Sequence, residues 1–291
     1  LTLRDYRYAS QPFVVGASAA ADFPAHTVVE ETLTEVVAND WVNDEYKHLV
    51  VTASPKALAV KPGQFFHVLC PSPDQGDLWF RRPQSIYAID KDAGRLEFLY
   101  KCVGRGTHGL ATMGPGDKCN IVGPLGIGFS LEPQWKNIVV LGRGVGLATM
   151  APISQLAGER GVGVTAILSA RNASYLLSRE KFAAIGAAIV PVIDTDGTSA
   201  VENVEAILRA LIDDGKADAF FTCGSNRLFQ VMRRLGKEFG IPGQIAMEQI
   251  MACGLGPCYV CVKTFEVDGQ KVLRRVCVEG PVFDIQEALG W

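Results

Sequence analysis

The 291-residue sequence predicts two folded units and a short tail. These are an antiparallel β-barrel over residues 31–131, an α/β unit on a parallel sheet over 132–247, and a cysteine-bearing segment over 248–291. Three observations carry this expectation. Short runs rich in β-branched and aromatic residues, punctuated by Gly/Pro turns, fill the first stretch. Strand-like and helix-like runs alternate through the second. Four of the eight cysteines crowd into the third.

At 48% hydrophobic content the chain has apolar material for a sizeable core, and its length fits roughly two domains. The net charge is −3 and there is no long basic run, which argues against a nucleic-acid partner. No apolar stretch reaches the roughly 18 residues needed to span a bilayer. Residues 1–30 read as an N-terminal arm. Within it, "PFVVGASAAADFPA" ends like a small-residue cleavage site, but its apolar run is short and lacks a clear basic flank. A chain of this size with a full apolar complement needs no disulfide staples, so the thiols fit a reducing, cytoplasmic setting. Cys70, Cys102 and Cys119 sit singly in strand-like surroundings and read as small buried hydrophobes.

Along the first unit, "HLVVTAS", "QFFHVLC", "QSIYAID" and "RLEFLYKCV" read as strands, with "KPG", "KDAG" and "MGPGD" as turns. Closely spaced strands of this kind suggest an antiparallel barrel. From Asn137 the texture changes. "NIVVLG", "GVTAILSA", "AAIVPVID" and "DAFFTCG" read as strands. Helices are expected in the segment ending at Gly161, in "SYLLSREKFAAIG", in "VENVEAILRALIDDG" and in "SNRLFQVMRRLGKEFG". That alternation implies a parallel sheet with helices on both faces.

Three local signals suit phosphate or ring binding. "GRGVG" places Gly142, Gly144 and Gly146 where a strand meets a helix, so backbone N–H groups and a helix dipole can face a pyrophosphate. The spacing is G-x-G-x-G, and by itself it also suits an ordinary tight turn. "RRPQS" can present the Arg82 guanidinium to a phosphate and the Ser85 hydroxyl to a polar ring edge, or be a solvated arginine pair. Gly104, Gly106 and Thr107 read as a turn with backbone donors. "TCGS" puts Cys223 and Gly224 at the carboxyl end of a strand, where open α/β sheets bind ligands.

In order, "RRPQSI", "LYKCVGRGT", "GPLGIGF", "VVLGRGVGLA", "DTDGT", "FFTCG" and the cysteine tail resemble the ferredoxin–NADP reductase superfamily. More closely they resemble the electron-transfer subunit family of class 1B dihydroorotate dehydrogenase. The resemblance covers about residues 31–284. It implies an FAD-binding barrel, an NAD(P)-binding unit and a C-terminal [2Fe–2S] segment. Carried onto this sequence, it implies that Arg82, Pro83, Gln84, Ser85, Leu99, Tyr100, Lys101, Gly106 and Thr107 hold FAD. It implies likewise that Gly142, Gly144, Gly146, Cys223 and Gly224 border NAD(H), with Asp194 to Thr198 as an acidic turn nearby. The sequence departs from the family pattern at Arg143, where a glycine is usual, and at Ser225, where the family has Cys–Gly–Pro. It also lacks the glycines usual after the acidic turn.

Cys253, Cys258, Cys261 and Cys277 have the spacing C-x4-C-x2-C-x15-C. Plant-type ferredoxins share the first two gaps, but their domain is longer than the tail available. Zinc sites favour two Cys-x-x-Cys knuckles, and one is present. A Gly-rich loop suits a [2Fe–2S] cluster, whose sulfurs accept bonds from backbone N–H groups. Zinc stays open as the alternative. A nicotinamide delivers two electrons and such a cluster takes one, so a flavin belongs between them, and no catalytic nucleophile or base is required. The histidines His26, His48, His67 and His108 read as structural.

No segment is left for an organic substrate. The resemblance therefore implies a flavin-containing dehydrogenase partner subunit in a heteromeric complex. Two other readings remain: a stand-alone NAD(P)H reductase feeding an oxygenase or ferredoxin, and a non-catalytic zinc-bearing nucleotide-binding module. Arg171, after the second strand of the nucleotide unit, could reach a 2′-phosphate, which leaves NADH only slightly preferred over NADPH.

Overall fold

The computed structural model describes residues 29–290 apart from 75 and 77. All but the last two residues of the expected N-terminal arm therefore lie outside the described residues.

The first unit contains β1 (Glu30–Trp41), β2 (Tyr46–Thr52), β3 (Phe65–Leu69), β4 (Arg82–Ser85), β5 (Ala88–Asp90), β6 (Arg95–Lys101) and β7 (Lys118–Leu125). They form one antiparallel sheet in the order β4-β3-β7-β1-β2-β6-β5. The sheet curls into a half-barrel, and its edge strands β4 and β5 share no ladder. Strand alternation sorts the side chains. Leu96, Phe98 and Tyr100 of β6 join the interior with Val36, Leu49, Phe66 and Ile121, whereas Leu99 faces the second unit. The stretch at Gly104 to Thr107, expected as a turn, instead opens a helix, α1 (Arg105–Ala111). This helix packs Leu110 into the interior of the half-barrel. Asn39 donates to the carbonyls of Leu110 and Met113 at 2.9 and 3.0 Å, and accepts from the Tyr100 hydroxyl at 2.9 Å.

The second unit runs β8 (Asn137–Arg143), α2 (Gly146–Glu159), β9 (Gly163–Ala170), α3 (Arg179–Ala184), β10 (Ala188–Ile193), α4 (Val201–Asp213), β11 (Ala219–Cys223), α5 (Asn226–Phe239) and β12 (Gly243–Ala246). The five strands are parallel, and β8, β9 and β11 are buried almost throughout, as central strands covered on both faces must be. Helices α4 and α5 pack on one face, α2 and α3 on the other. Ser225 caps α5 by accepting from the Leu228 N–H, and Gly240 ends it with φ 68°.

The tail adds β13 (Val262–Val267), β14 (Gln270–Arg275), α6 (Val276–Glu279) and β15 (Val282–Asp284). β13 and β14 form a hairpin, while β15 pairs antiparallel with β12 and so extends the nucleotide sheet. Cys261, Phe265, Val276 and Cys277 share a core with α5 and with Phe65 and Leu125 of the half-barrel. The tail is thereby packed against both units.

Candidate functional site

A cleft of about 760 Å³ opens where half-barrel, nucleotide unit and tail meet. Arg82, Pro83, Gln84 and Ser85 of β4 and Leu99, Tyr100 and Lys101 of β6 form one wall. Val145, Ala148 and Thr149, at the start of α2, form the second, and residues 247–251 after β12 form the third. Within the first wall the roles differ. Tyr100 is 1% exposed and its hydroxyl is engaged with Asn39, so only its backbone is left for the cleft. Gln84 is buried opposite Phe66, and Arg82 donates to the carbonyls of Phe80 and Arg81.

Gly106 and Thr107 do not line the cleft. Gly106 lies beneath Arg82: a Cβ there would come within 2.5 Å of Nε. The Thr107 hydroxyl accepts from the N–H groups of Val103 and Gly104 at 2.9 and 3.1 Å, and so holds the start of α1.

The glycines of the nucleotide unit serve close approach. A Cβ on Gly146 would lie 2.4 Å from the Cys223 carbonyl oxygen. Gly224, with φ +90°, has the Arg143 carbonyl 2.3 Å from its Cβ position. Only hydrogen fits at either site, which lets the turn after β8 and the end of β11 touch. Gly142 is covered by Leu147, and Gly144 faces the Tyr46 hydroxyl of the half-barrel. Cys223 is buried beside Thr149, and that burial pushes its thiol pKa up.

Charged side chains cross the carboxyl edge of the sheet. Arg143 binds Asp194 at 2.5 Å and Ser169 at 2.9 Å, and Arg227 also approaches Asp194 at 3.5 Å. The bond from Arg143 first, then that donated by the Ser199 hydroxyl, with the charges of Arg143 and Arg227, pull the Asp194 pKa down to about 2. Arg171 pairs with Glu45 of the half-barrel and stacks on Tyr175, 4.6 Å from its ring centre. Its guanidinium is thus turned to the junction between the units.

In the cysteine loop the thiols form two pairs, Cys253 with Cys258 and Cys261 with Cys277. Backbone N–H groups point at sulfur: Leu255 to Cys253 and Cys277 to Cys261, both at 3.4 Å. The Cys277 thiol donates toward Cys261 and draws its pKa down, while Cys277 is raised by the same contact. Among the described residues no three potential ligands converge at metal-binding distance.

Residues 248–289 match a family described as the iron–sulfur cluster binding domain of dihydroorotate dehydrogenase B. The electron transfer subunit of dihydroorotate dehydrogenase B (NAD(+)) from Desulforamulus reducens is 32% identical over 222 residues, spanning 76% of this chain and 84% of that protein. The chain belongs to the family of dihydroorotate dehydrogenase B electron transfer subunits. The subunit from Listeria monocytogenes is 29% identical over 259 residues, covering 88% of this chain and 98% of its own length. A solved NADH-dependent reduced ferredoxin–NADP oxidoreductase, described as bearing on flavin-based electron bifurcation, shares the fold. Its TM-score is 0.73 at 28% identity, covering 88% of this chain and 89% of that one.

As a member of this family the protein is an electron-transfer oxidoreductase subunit of the dihydroorotate dehydrogenase B type, with a C-terminal segment that matches the iron–sulfur binding domain. The chemistry of its donors suits an iron–sulfur cluster: four thiols, with backbone N–H groups aimed at sulfur. The zinc-bearing, non-catalytic alternative falls away with the iron–sulfur family match. Among the described residues no helix is long and apolar enough to cross a membrane.

Two polar residues in and beside the cleft escaped the sequence. Glu248 opens into the cleft, where the surrounding protein raises its carboxyl pKa by desolvation. Nothing in "AMEQIM" marks it. His67 is 1% exposed with neither ring nitrogen hydrogen-bonded. Its signal was a polar residue in the apolar strand "FFHVL", which reads equally well as a satisfied core histidine.

Proposed function

We propose that this chain passes electrons between NAD(H) and a partner flavoprotein subunit of the dihydroorotate dehydrogenase type, through FAD in the cleft and a [2Fe–2S] cluster on Cys253, Cys258, Cys261 and Cys277. The observation that carries this is the shared cleft: β4, the start of α2 and residues 247–251 open on one space. When bound there, the flavin accepts two electrons from a nicotinamide and releases them singly, as a cluster requires.

The chain's own residues bind and exclude. Arg82, released from its own backbone carbonyls, supplies a charge-assisted bond to an FAD phosphate. Gly106 keeps the space in which Arg82 lies. Ser85 and the backbones of Leu99, Tyr100 and Lys101 orient the ring, with Pro83 and Gln84 setting the wall. Gly142, Gly144 and Gly146 bring N–H groups of the α2 start to a pyrophosphate. Cys223 and Gly224 cap the nicotinamide end, and Thr107 serves by holding α1. Eight unpaired thiols support a reducing, cytoplasmic setting.

The purified chain, loaded with FAD and iron, is assayed for acceptor reduction with NADH, then NADPH, then with dihydroorotate and no partner. Acceptor reduction by nicotinamide alone is expected. Flavin reduction by dihydroorotate without a partner would overturn the subunit reading. Isolation from the native host without a stable partner would favour a stand-alone reductase.

A further inference from the structure

Arg171 stands just past the carboxyl end of β9, the second strand of the nucleotide unit. Its backbone is fixed there, because its carbonyl accepts from the Thr195 N–H of the acidic turn at 3.1 Å. In doubly wound sheets a residue in this region meets the adenosine ribose of a dinucleotide. An acidic side chain there suits the 2′-hydroxyl of NAD(H), and an arginine suits the 2′-phosphate of NADP(H). This arginine is committed elsewhere.

Its guanidinium crosses the junction to Glu45, in the turn between β1 and β2, at 2.5 Å. That turn is set by Asn43, whose side-chain oxygen accepts from the N–H groups of Glu45 and Tyr46 at 3.0 Å each. The other Glu45 oxygen binds Lys101 of the cleft wall at 2.8 Å. On the far side the guanidinium lies over Tyr175, whose hydroxyl donates to Asp44 at 2.7 Å. Asn43 also donates to the Ser174 carbonyl at 3.4 Å. A lone exposed ion pair would count for little. Here two cations share one carboxylate, a ring stacks on one of them, and both segments are tied at further points.

A 2′-phosphate that reached Arg171 would have to displace Glu45, or lie against it with Asp44 close by. Like charges so placed discriminate against a ligand as surely as contacts favour one. Arg143 and Arg227 offer no substitute, since both are turned to Asp194.

We propose that Glu45 is a specificity-determining residue. By holding Arg171 it withholds the cation that a 2′-phosphate needs, and so makes the chain select NADH over NADPH. The inference rests on the assignment of a nicotinamide nucleotide to the loop from Gly142 to Gly146.

The test uses the full-length protein loaded with FAD. Steady-state reduction of an artificial acceptor gives kcat/KM for each nucleotide, and the unaltered protein should favour NADH. Glu45→Gln should raise kcat/KM for NADPH roughly tenfold, the worth of one freed charge-assisted bond, and leave that for NADH unchanged. Adding Arg171→Ala should cancel the gain. A Glu45→Gln change equal for both nucleotides, no change at all, or a preference of the unaltered protein for NADPH overturns the role of Glu45. Calorimetry with adenosine 2′,5′-bisphosphate and 5′-AMP gives a readout that needs no electron transfer. The bisphosphate should bind the unaltered protein no more tightly than 5′-AMP, and Glu45→Gln more tightly. Should Glu45→Gln fail to fold, the unaltered protein decides, and a bisphosphate bound more tightly than 5′-AMP overturns the inference. If neither NADH nor NADPH reduces the flavin, the nucleotide assignment itself fails, and the inference with it.

Discussion

Arg143 reaches from the end of β8 to the carboxylate of Asp194 beyond β10, with contacts of 2.5 and 3.1 Å. With its bond to Ser169 at the end of β9, this side chain ties three strand ends together. It does so at the position where the resemblance implies a glycine. The Asp194 pKa of about 2 keeps the pair ionised throughout the neutral range. Arg143→Ala would strip the counter-charge and leave Asp194 facing the phosphate loop. We expect KM for the nicotinamide to rise about tenfold, with FAD content unchanged and the effect constant from pH 6 to 9. Steady-state acceptor reduction measures it. An unchanged KM with lowered thermal stability would make Arg143 a brace only.

Arg82 and Gly106 should act as a unit. Arg82→Ala removes a charge-assisted contact whose loss costs about 1.5–3 kcal/mol, or roughly 10–100-fold in FAD affinity. Gly106→Ala should weaken FAD binding too, because its Cβ would displace the Arg82 side chain. Flavin content after desalting, read by absorbance, checks both. Full retention in both variants would remove Arg82 as the anchor.

Replacing Cys253, Cys258, Cys261 or Cys277 singly with serine should abolish the cluster and leave FAD bound, whereas Cys70→Ser should leave both. The intact protein should hold two iron and two labile sulfides per chain, as the cluster type requires. Iron and sulfide analysis gives the result. Stoichiometric zinc without sulfide would contradict it.

Glu97 joins the two units. It accepts from His48 and binds Lys181 of α3, each at 3.0 Å, and these contacts hold its pKa down to about 2. A carboxyl depressed on folding stabilises fully above its ordinary pKa and loses that effect as pH falls through its folded value. Glu97→Gln should thus cost about 1 kcal/mol at pH 7, after allowance for solvent screening. The difference should shrink between about pH 4.5 and 2. Urea unfolding across that range measures it. A difference that persisted at pH 2 would point to packing instead.

Where local pattern and packing agree, the elements were legible in the sequence. The strands "GVTAILSA" and "NIVVLG" and the helix closed by Gly240 lie where their patterns put them. β1 was not legible. "EETLTEVVANDW" shows no clean alternation of apolar and polar residues, and it is a strand because β2 and β7 pair with both its edges. α1 carries two glycines and reads as a turn. It is a helix because it packs so tightly that a Cβ on Gly109 would overlap the Pro71 carbonyl. The short β12 exists through its pairing with β11 and β15, and β15 through its pairing with β12.

The sequence by itself determined the order of units, the four clustered thiols and the glycines that only close backbone contacts explain. Those features are local: spacing, alternation and turn chemistry act between near neighbours in the chain. The tertiary structure alone decided which residues meet. It turned Tyr100 inward, tied Arg171 to Glu45, brought Glu248 into the cleft and set His67 against Gly254. Each of these depends on packing between segments far apart in sequence. Burial, which strips a polar group of water, exists only once those segments have closed on one another.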